Sequence, residues 1–475
     1  MFDVIVIGGG VTGGLVLREL TKYRLRAALL EKENDVCMGA SKANSGIVHA
    51  GFDAAPDSLK AKFNVLGNKM MPQVCRELGV KYKNNGSLVV AFSDEDVKQL
   101  NELKARGEKN GVEGLEIVDK TRLREMEKNV SDEAVAALYA PTGGIVCPYE
   151  LTIAAIGNAM DNGAALFTGF EVTSIKKQSD GFTVGSADGK SVEGRIVINC
   201  AGLASGKIAS LVGDDYITVN GRKGEYILLD RESGDFVNHT LFFTPTRLGK
   251  GILVTQTADN NILLGPTAEE GITDTATSAD GLAFVIEKAR KMCKNPPLFN
   301  TITSFAGVRA YSDKHDFIIE ESKNVKGVIH CAGIESPGLT ASPAIAKYVV
   351  ETLVGGMLPL TKNDKFNGIR TPGYFFKDLS IEEKNEIIQR DSSYGKIVCR
   401  CEQITEGEIL RAIRENPPAK DIDGVKRRTR AGMGRCQGGF CQPYVAELIA
   451  KEQNKRLDEI TKSGKGSYLL TGVTK

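Results

Sequence analysis

The chain has 475 residues, enough for roughly two to four domains and too many for one simple core. Apolar residues make up 41% and charged residues 25%, which excludes disordered, collagen-like and disulfide-scaffold classes. Lys plus Arg number 61 against 60 Asp plus Glu, so the formal charge of +1 gives no global pull toward nucleic acid or acidic lipid.

Residues 2–7 read Phe-Asp-Val-Ile-Val-Ile, a β-branched run that predicts a buried strand with no basic n-region before it. No apolar run approaches the ~20 residues of a membrane span. The expectation is a cytoplasmic protein, with peripheral attachment at the inner membrane face left open. Gly8-x-Gly10-x-x-Gly13-Gly14 follows the strand at once, then a helical pattern over Leu15–Tyr23. A second buried strand, Ala27–Leu30, ends in Glu31. Strand, glycine turn, helix, strand and acid in that order mark a dinucleotide fold. The glycines let backbone approach a pyrophosphate, and the helix N-terminus offers N–H donors and a positive dipole end. Glu31 can accept a hydrogen bond from a ribose hydroxyl.

Residues 91–130 are rich in charge at helical spacing. Residues 221–267 alternate like antiparallel strands, through Tyr226-Ile-Leu-Leu, Gly251-Ile-Leu-Val and Asn261-Ile-Leu-Leu-Gly. They predict a sheet-based substrate domain inserted into the first. Arg195–Gly202 and Val328–Gly338 repeat the strand-then-glycine pattern, and the second leads into a helical stretch, Pro343–Leu353. A simple NAD domain would not return to its site so late in the chain. FAD laid across a large α/β domain would, with its flavin ring near the last helix start. Residues 356–395, with Pro359, Pro372, Gly373 and many charges, read as a linker to a separate module.

Residues 41–51 read Ser-Lys-Ala-Asn-Ser-Gly-Ile-Val-His-Ala-Gly. With the opening glycine motif, this resembles the D-amino-acid-oxidase-like FAD oxidoreductases over about residues 1–360. Ala43–Asp53, Gly249-Lys-Gly-Ile-Leu-Val, Gly265-Pro-Thr-Ala-Glu, Ala306-Gly-Val-Arg309 and Ser336–Ala344 are most similar to soluble glycerol-3-phosphate oxidases. Arg222-Lys-Gly-Glu-Tyr226 is similar to the L-2-hydroxyglutarate oxidase branch. Asp53 stands near where the membrane glycerol-3-phosphate dehydrogenases usually carry an arginine, so their substrate contacts do not transfer directly.

The resemblance implies FAD contacts from Gly8, Gly10, Thr12, Gly13, Glu31, Lys32, Ser41, Asn44, Ser45, Gly46, Val172, Ala201, Gly202, Gly333, Gly338, Leu339 and Thr340. Oxidising a secondary alcohol needs a base for the hydroxyl proton and delivery of the carbon-bound hydride to flavin N5. His49 is the candidate base among four histidines. His330, in an apolar strand, reads as core. His239 and His315 lie in polar segments expected to be exposed, and His315 is the reserve base. Arg309 can grip a phosphate or carboxylate bidentately, and Lys250 can act as a point charge. These two do not separate a phosphate from a dicarboxylate, since both ligands are dianionic. Ser336 is expected against flavin or substrate, and the backbone of Gly333–Thr340 at the flavin pyrimidine edge.

Of ten cysteines, Cys37, Cys75, Cys147, Cys200, Cys293 and Cys331 stand singly. Cys399-Arg-Cys401 and Cys436-Gln-Gly-Gly-Phe-Cys441 form two close pairs, which suit tetrahedral zinc or an iron–sulfur cluster. The stretch from Val398-Cys-Arg-Cys-Glu through Thr429-Arg-Ala-Gly-Met-Gly-Arg-Cys-Gln-Gly-Gly-Phe-Cys resembles bacterioferritin-associated-ferredoxin-like domains. That implies a [2Fe-2S] cluster on Cys399, Cys401, Cys436 and Cys441. The run Lys426-Arg-Arg-Thr-Arg430, with Arg400 and Arg435, is expected to offset cluster charge. Glycines 432, 434, 438 and 439 are expected to bring N–H groups to the sulfurs. Without interleaved aromatics the basic run does not read as a nucleic-acid site.

An oxidase hands electrons to oxygen and needs no iron. The two resemblances together imply an FAD-dependent sn-glycerol-3-phosphate dehydrogenase whose electrons leave through the cluster. The expected acceptor is a flavoprotein or iron–sulfur subunit in a hetero-oligomer. L-2-hydroxyglutarate dehydrogenase is the alternative substrate reading, then an amino-acid or opine dehydrogenase. A non-catalytic flavin and iron–sulfur relay subunit is the rival of another class. The expected fold is a Rossmann-like α/β FAD-binding domain (1–80, 145–215, 305–357) interleaved with an α+β substrate domain of antiparallel sheet (81–144, 216–304). A linker (358–395) and a small α-helical [2Fe-2S] domain (396–475) complete it.

Overall fold

The computed structural model describes residues 1–245, 251–370 and 375–472. Strand Phe2–Ile7 is buried from Val4 onward and lies at the centre of an eight-stranded sheet. It pairs parallel with Ala27–Glu31 on one side and Ser191–Asn199 on the other. Ala165–Thr168 and Val328–Ala332 extend the parallel set outward. Val172–Gln178, Gly181–Ser186 and Ile318–Glu321 add antiparallel edges. Coverage of both faces explains the unbroken apolar runs of the central strands.

Helix Val11–Thr21 is buried throughout and packs against Pro148–Asp161 and Gly338–Tyr348. It begins at Val11 rather than the expected Leu15, directly after the glycine turn. The late helix likewise starts at Gly338, ahead of Pro343. Pro343 has no N–H to give the Leu339 carbonyl, and the Ser342 hydroxyl donates to that carbonyl instead at 2.7 Å. The long helix Leu59–Leu78 crosses this one at Gly67, where a Cβ would stand 2.0 Å from the Thr340 carbonyl oxygen.

The second sheet has nine strands. Its spine is Val219–Leu229, paired antiparallel with Thr301–Ser312 along its whole length. Ile262–Gly265, Leu253–Gln256 and Thr240–Phe243 follow as the alternation predicts. Ser87–Ala91, Ala136–Ala140 and Glu116–Asp119 complete the main path. Residues 91–130 supply helices Asp94–Lys109 and Lys120–Met126. The division expected at 304/305 falls inside Thr301–Ser312, which stays with the second sheet because its pairing runs unbroken to Ser312.

Residues 358–370 and 375–395 are not a loose tether. The Arg24 N–H donates to the Thr361 carbonyl and the Asn363 N–H to that of Lys22, both at 2.8 Å. The Arg370 guanidinium donates to the carbonyls of Ile153, Ala154 and Asn416. Ser380 and Glu383 form a capping box at helix Ile381–Arg390, and Phe376, Ile387 and Tyr394 make a small core. Helices Glu406–Arg414, Ile422–Thr429 and Gln442–Gln453 then enclose a core of Ile409, Val425 and Ile449. Among the described residues no helix is long and apolar enough to cross a membrane.

Candidate functional site

A cleft of about 2140 Å³ runs between the two sheets. At one end the glycine turn forms its floor. Gly8 has φ +108°, and a Cβ there would stand 2.4 Å from the Cys200 carbonyl oxygen. Helix Val11–Thr21 has no side-chain cap from Gly10; the Ser41 hydroxyl accepts the Val11 N–H at 2.9 Å. Glu31 accepts from the Gly9 and Glu33 N–H groups at 2.7 and 2.9 Å, so it braces the turn. Burial pushes its carboxyl up while those two donors oppose the shift. Gly8, Gly10, Thr12, Glu31, Lys32, Ser41, Asn44, Ser45, Gly46, Val172, Ala201, Gly202, Gly338 and Leu339 all line the cleft.

Three expected cofactor residues do not. A Cβ on Gly13 would lie 2.0 Å from the Gly8 carbonyl oxygen, so Gly13 serves close helix–strand packing. Gly333 is left-handed (φ +64°) and presses on Ser312. Thr340 is fully buried, and its hydroxyl accepts the His49 N–H at 2.9 Å and donates to the Ile47 carbonyl. Lys250 lies outside the described residues.

His49, Ser336 and Arg309 line the cleft together. His49 Nε2 is 3.3 Å from Ser336 Oγ, and the ring lies 5.9 Å from that of Phe242. The His49 carbonyl accepts from the side-chain amides of Asn64 and Asn68, both at 3.1 Å. This pair was not foreseen, although two asparagines four apart on a buried helix face were a readable signal. Tyr226 was also missed as a site residue. It stacks on Phe305 at 4.8 Å and meets the Ser45 hydroxyl at 3.3 Å.

Arg309 donates to the carbonyls of Thr267 (2.8 Å), Lys223 (3.3 Å) and Arg222 (3.4 Å). Among the described residues no carboxylate pairs with it. Glu335 is taken by Lys60 at 2.8 Å and Arg222 at 3.1 Å. Burial pushes the Arg309 guanidinium below its ordinary value. His315 is exposed and also lines the cleft. His330 is core, bonded to Asp214 at 2.8 Å and Asn199 at 3.2 Å, and burial pushes it down. His239 is half-buried rather than exposed, because buried Glu127 holds its Nδ1 at 2.7 Å and Tyr139 packs edge-on.

In the C-terminal domain Cys399 and Cys441 are buried, and Cys401 and Cys436 are half-buried. The Sγ atoms of Cys401 and Cys436 are 3.6 Å apart, and Cys399 meets Cys441. Two thiolates on one tetrahedral metal with bonds of about 2.3 Å stand about 3.7 Å apart. Two such pairs suit the two irons of a [2Fe-2S] cluster. The Gly432 N–H reaches Cys399, and those of Gly438, Gly439 and Phe440 reach Cys436. The bond from Cys441 and the N–H groups of Gly432 and Glu402 hold the Cys399 thiol down to about 6, against burial.

The basic run does not serve the cluster as expected. Arg427 and Arg428 both bind Asp35 of the first domain, and Arg428 takes both oxygens at 2.8 Å. Arg430 binds Glu402 at 2.9 Å and Asp259 at 2.7 Å. Arg435 pairs with Asp230 and Glu232. Docking of the module brings Asp35, Asp259 and Asp230 of the rest of the chain into ion-pair contact with these arginines, beside Glu402 of the module itself.

A glycine cradle at a helix start, a second sheet roofing it and a charged inner end define a dinucleotide-dependent oxidoreductase with an appended iron–sulfur module. Residues 3–352 match the family described as FAD dependent oxidoreductase, and residues 397–451 match the BFD-like [2Fe-2S] binding domain. The chain belongs to that FAD dependent oxidoreductase family, DAO, and its cofactors are FAD and a [2Fe-2S] cluster. It is 48% identical to a glycerol 3-phosphate dehydrogenase of Caloramator mitchellensis, covering 100% of this chain and 99% of the relative. It is 29% identical to the mitochondrial L-2-hydroxyglutarate dehydrogenase of Nematostella vectensis, over 74% of this chain and 90% of the relative. A dithionite-reduced L-alpha-glycerophosphate oxidase from Mycoplasma pneumoniae with FAD bound superposes with a TM-score of 0.75 at 31% identity. That likeness covers 79% of this chain and 99% of the oxidase.

Proposed function

We propose that the protein is an FAD-dependent sn-glycerol-3-phosphate dehydrogenase that yields dihydroxyacetone phosphate and passes electrons through its C-terminal domain to a partner. The reading is carried by the meeting of His49, Ser336 and Arg309 in the cleft of a chain similar along its full length to a glycerol 3-phosphate dehydrogenase. Bound FAD supplies the hydride acceptor at N5, and a bound [2Fe-2S] cluster supplies a one-electron carrier.

His49 Nε2 takes the C2 hydroxyl proton of the substrate. Ser336 holds that nitrogen as the acceptor until substrate enters, while Thr340, Asn64 and Asn68 fix the backbone on either side. Arg309 grips the phosphate. With carbonyl partners alone among the described residues, it carries a half-buried charge that a dianion neutralises. Backbone of Gly338 and Leu339, which lines the cleft, would hold the flavin.

The half-exposed pair Cys401 and Cys436 lies beside Phe440, which is 86% exposed. That edge is where an electron-accepting flavoprotein or iron–sulfur subunit docks. Ten unbridged cysteines support a reducing, cytoplasmic setting, with the partner holding the protein at the inner membrane face.

The test is anaerobic addition of sn-glycerol 3-phosphate and, separately, L-2-hydroxyglutarate to the holoprotein. The expected result is fast flavin bleaching by the phosphate alone, then loss of cluster colour. Bleaching by hydroxyglutarate alone would reassign Arg309 to a dicarboxylate. No bleaching by either would leave an amine substrate or the relay-subunit reading.

A further inference from the structure

We infer that the C-terminal domain completes the FAD site, with Lys426 and Arg427 forming, beside Lys42, a cationic wall for the FAD diphosphate. The inference rests on FAD occupying the cleft described above.

Helix Ile422–Thr429 belongs to the iron–sulfur module, yet Asp423, Lys426 and Arg427 line the cleft. They meet it at its nucleotide end. Lys42 follows Ser41, whose hydroxyl accepts the first N–H of helix Val11–Thr21, and Lys42 is electrostatically close to Arg427. The approach is tight, since a Cβ on Gly424 would lie 3.1 Å from Asp35 Oδ2.

The charges there do not balance. Asp35 is shared by Arg427, which reaches it with one nitrogen, and Arg428, which takes both oxygens. Asp423 is paired with Lys462 at 3.1 Å. Among the described residues Lys426 has no ion-pair partner, and burial, with Lys462, Arg427 and Lys42 adding to it against Asp423, pushes its ammonium down. The Arg427 side chain is only 6% exposed, and among the described residues its buried Nε has no hydrogen-bond partner. A buried guanidinium N–H without an acceptor costs free energy until an anion reaches it. The anion that family membership brings to a glycine turn and helix start is a dinucleotide diphosphate. So the module that carries electrons away also holds the cofactor that supplies them.

The full-length holoprotein is titrated with ADP and, separately, with adenosine, and the fluorescence of released FAD reports displacement. The two ligands differ only in the diphosphate. For Arg427→Gln the ADP concentration needed, relative to that for adenosine, is expected to rise about tenfold or more. Lys426→Gln, which breaks no ion pair, is expected to shift the ratio in the same direction and covers the case in which Arg427→Gln does not fold. Arg428→Gln removes a contact to Asp35 without touching the cleft, and should leave the ratio unchanged. An unchanged ratio in both the Arg427 and Lys426 variants overturns the inference. So does an equal shift in Arg428→Gln, because the effect then belongs to the domain contact alone.

Discussion

Two arginines, one half-buried and one buried, show how differently the roof of the cleft and the seam with the C-terminal domain treat the same side chain. Arg430, at the seam, is saturated. It holds Glu402 and Asp259 and meets Asn261 at 3.1 Å, and its guanidinium is kept well above its ordinary value against burial. Arg309, in the roof, has carbonyls for partners and is pushed down by burial. A saturated cation is structure. A half-buried cation short of anions is a receptor for one. Burial alone does not separate the two, and the partner list does.

The largest expected effect tests the base that works beside Arg309. His49→Ala should slow flavin reduction by substrate about 10³-fold while FAD remains bound, read by anaerobic stopped flow. Normal reduction would remove His49 from the chemistry and pass the role to His315. Next comes the pair itself. Arg309→Met should raise KM for the phosphate substrate about 100-fold with little change in unfolding. Arg430→Met should do the reverse, costing about 3–5 kcal/mol in denaturant unfolding because two carboxylates lose their buried partner. Interchanged outcomes would break the comparison. At the outer edge of the same module, Phe440→Ala should slow reduction of the partner about tenfold and leave flavin bleaching unchanged.

The smallest effect sharpens the seam. Burial first, then Asp259, pushes the Glu150 carboxyl up to about 7. The folded protein therefore holds a proton that the unfolded chain releases above its ordinary carboxyl range. Stability from this group falls as pH rises from there through about 7, and the penalty is complete above it. Glu150→Gln should raise the melting temperature at pH 8 by a few degrees and barely at pH 5. Equal shifts at both pH values would show that Glu150 is not protonated in the fold.

The glycine turn and the four clustered cysteines were legible because their chemistry depends on spacing along the chain. Val11–Thr21 follows Gly8 and Gly10 at once, and Cys399 needs only Cys441 and a few local N–H groups. Asn64 and Asn68 were missed because their acceptor, the His49 carbonyl, is reached only when helix Leu59–Leu78 folds back. The basic run misled for the same reason. Arg427 and Arg428 were read against nearby cysteines, but their partner is Asp35 in the first domain. Thr340 was assigned to the cofactor by its motif, whereas its hydroxyl supports His49.

The contact between Asp35 and Arg427 spans 392 positions of the chain. At about 5–20 residues per second of synthesis, Asp35 waits on the order of 20–80 s for its partner to be made. Until then the cleft lacks one wall. Cofactor retention thus waits until the helix that carries Arg427 has been made and has docked. A nascent chain stalled before residue 427 would carry the glycine turn and yet hold its nucleotide loosely, leaving a recognisable immature form for quality control.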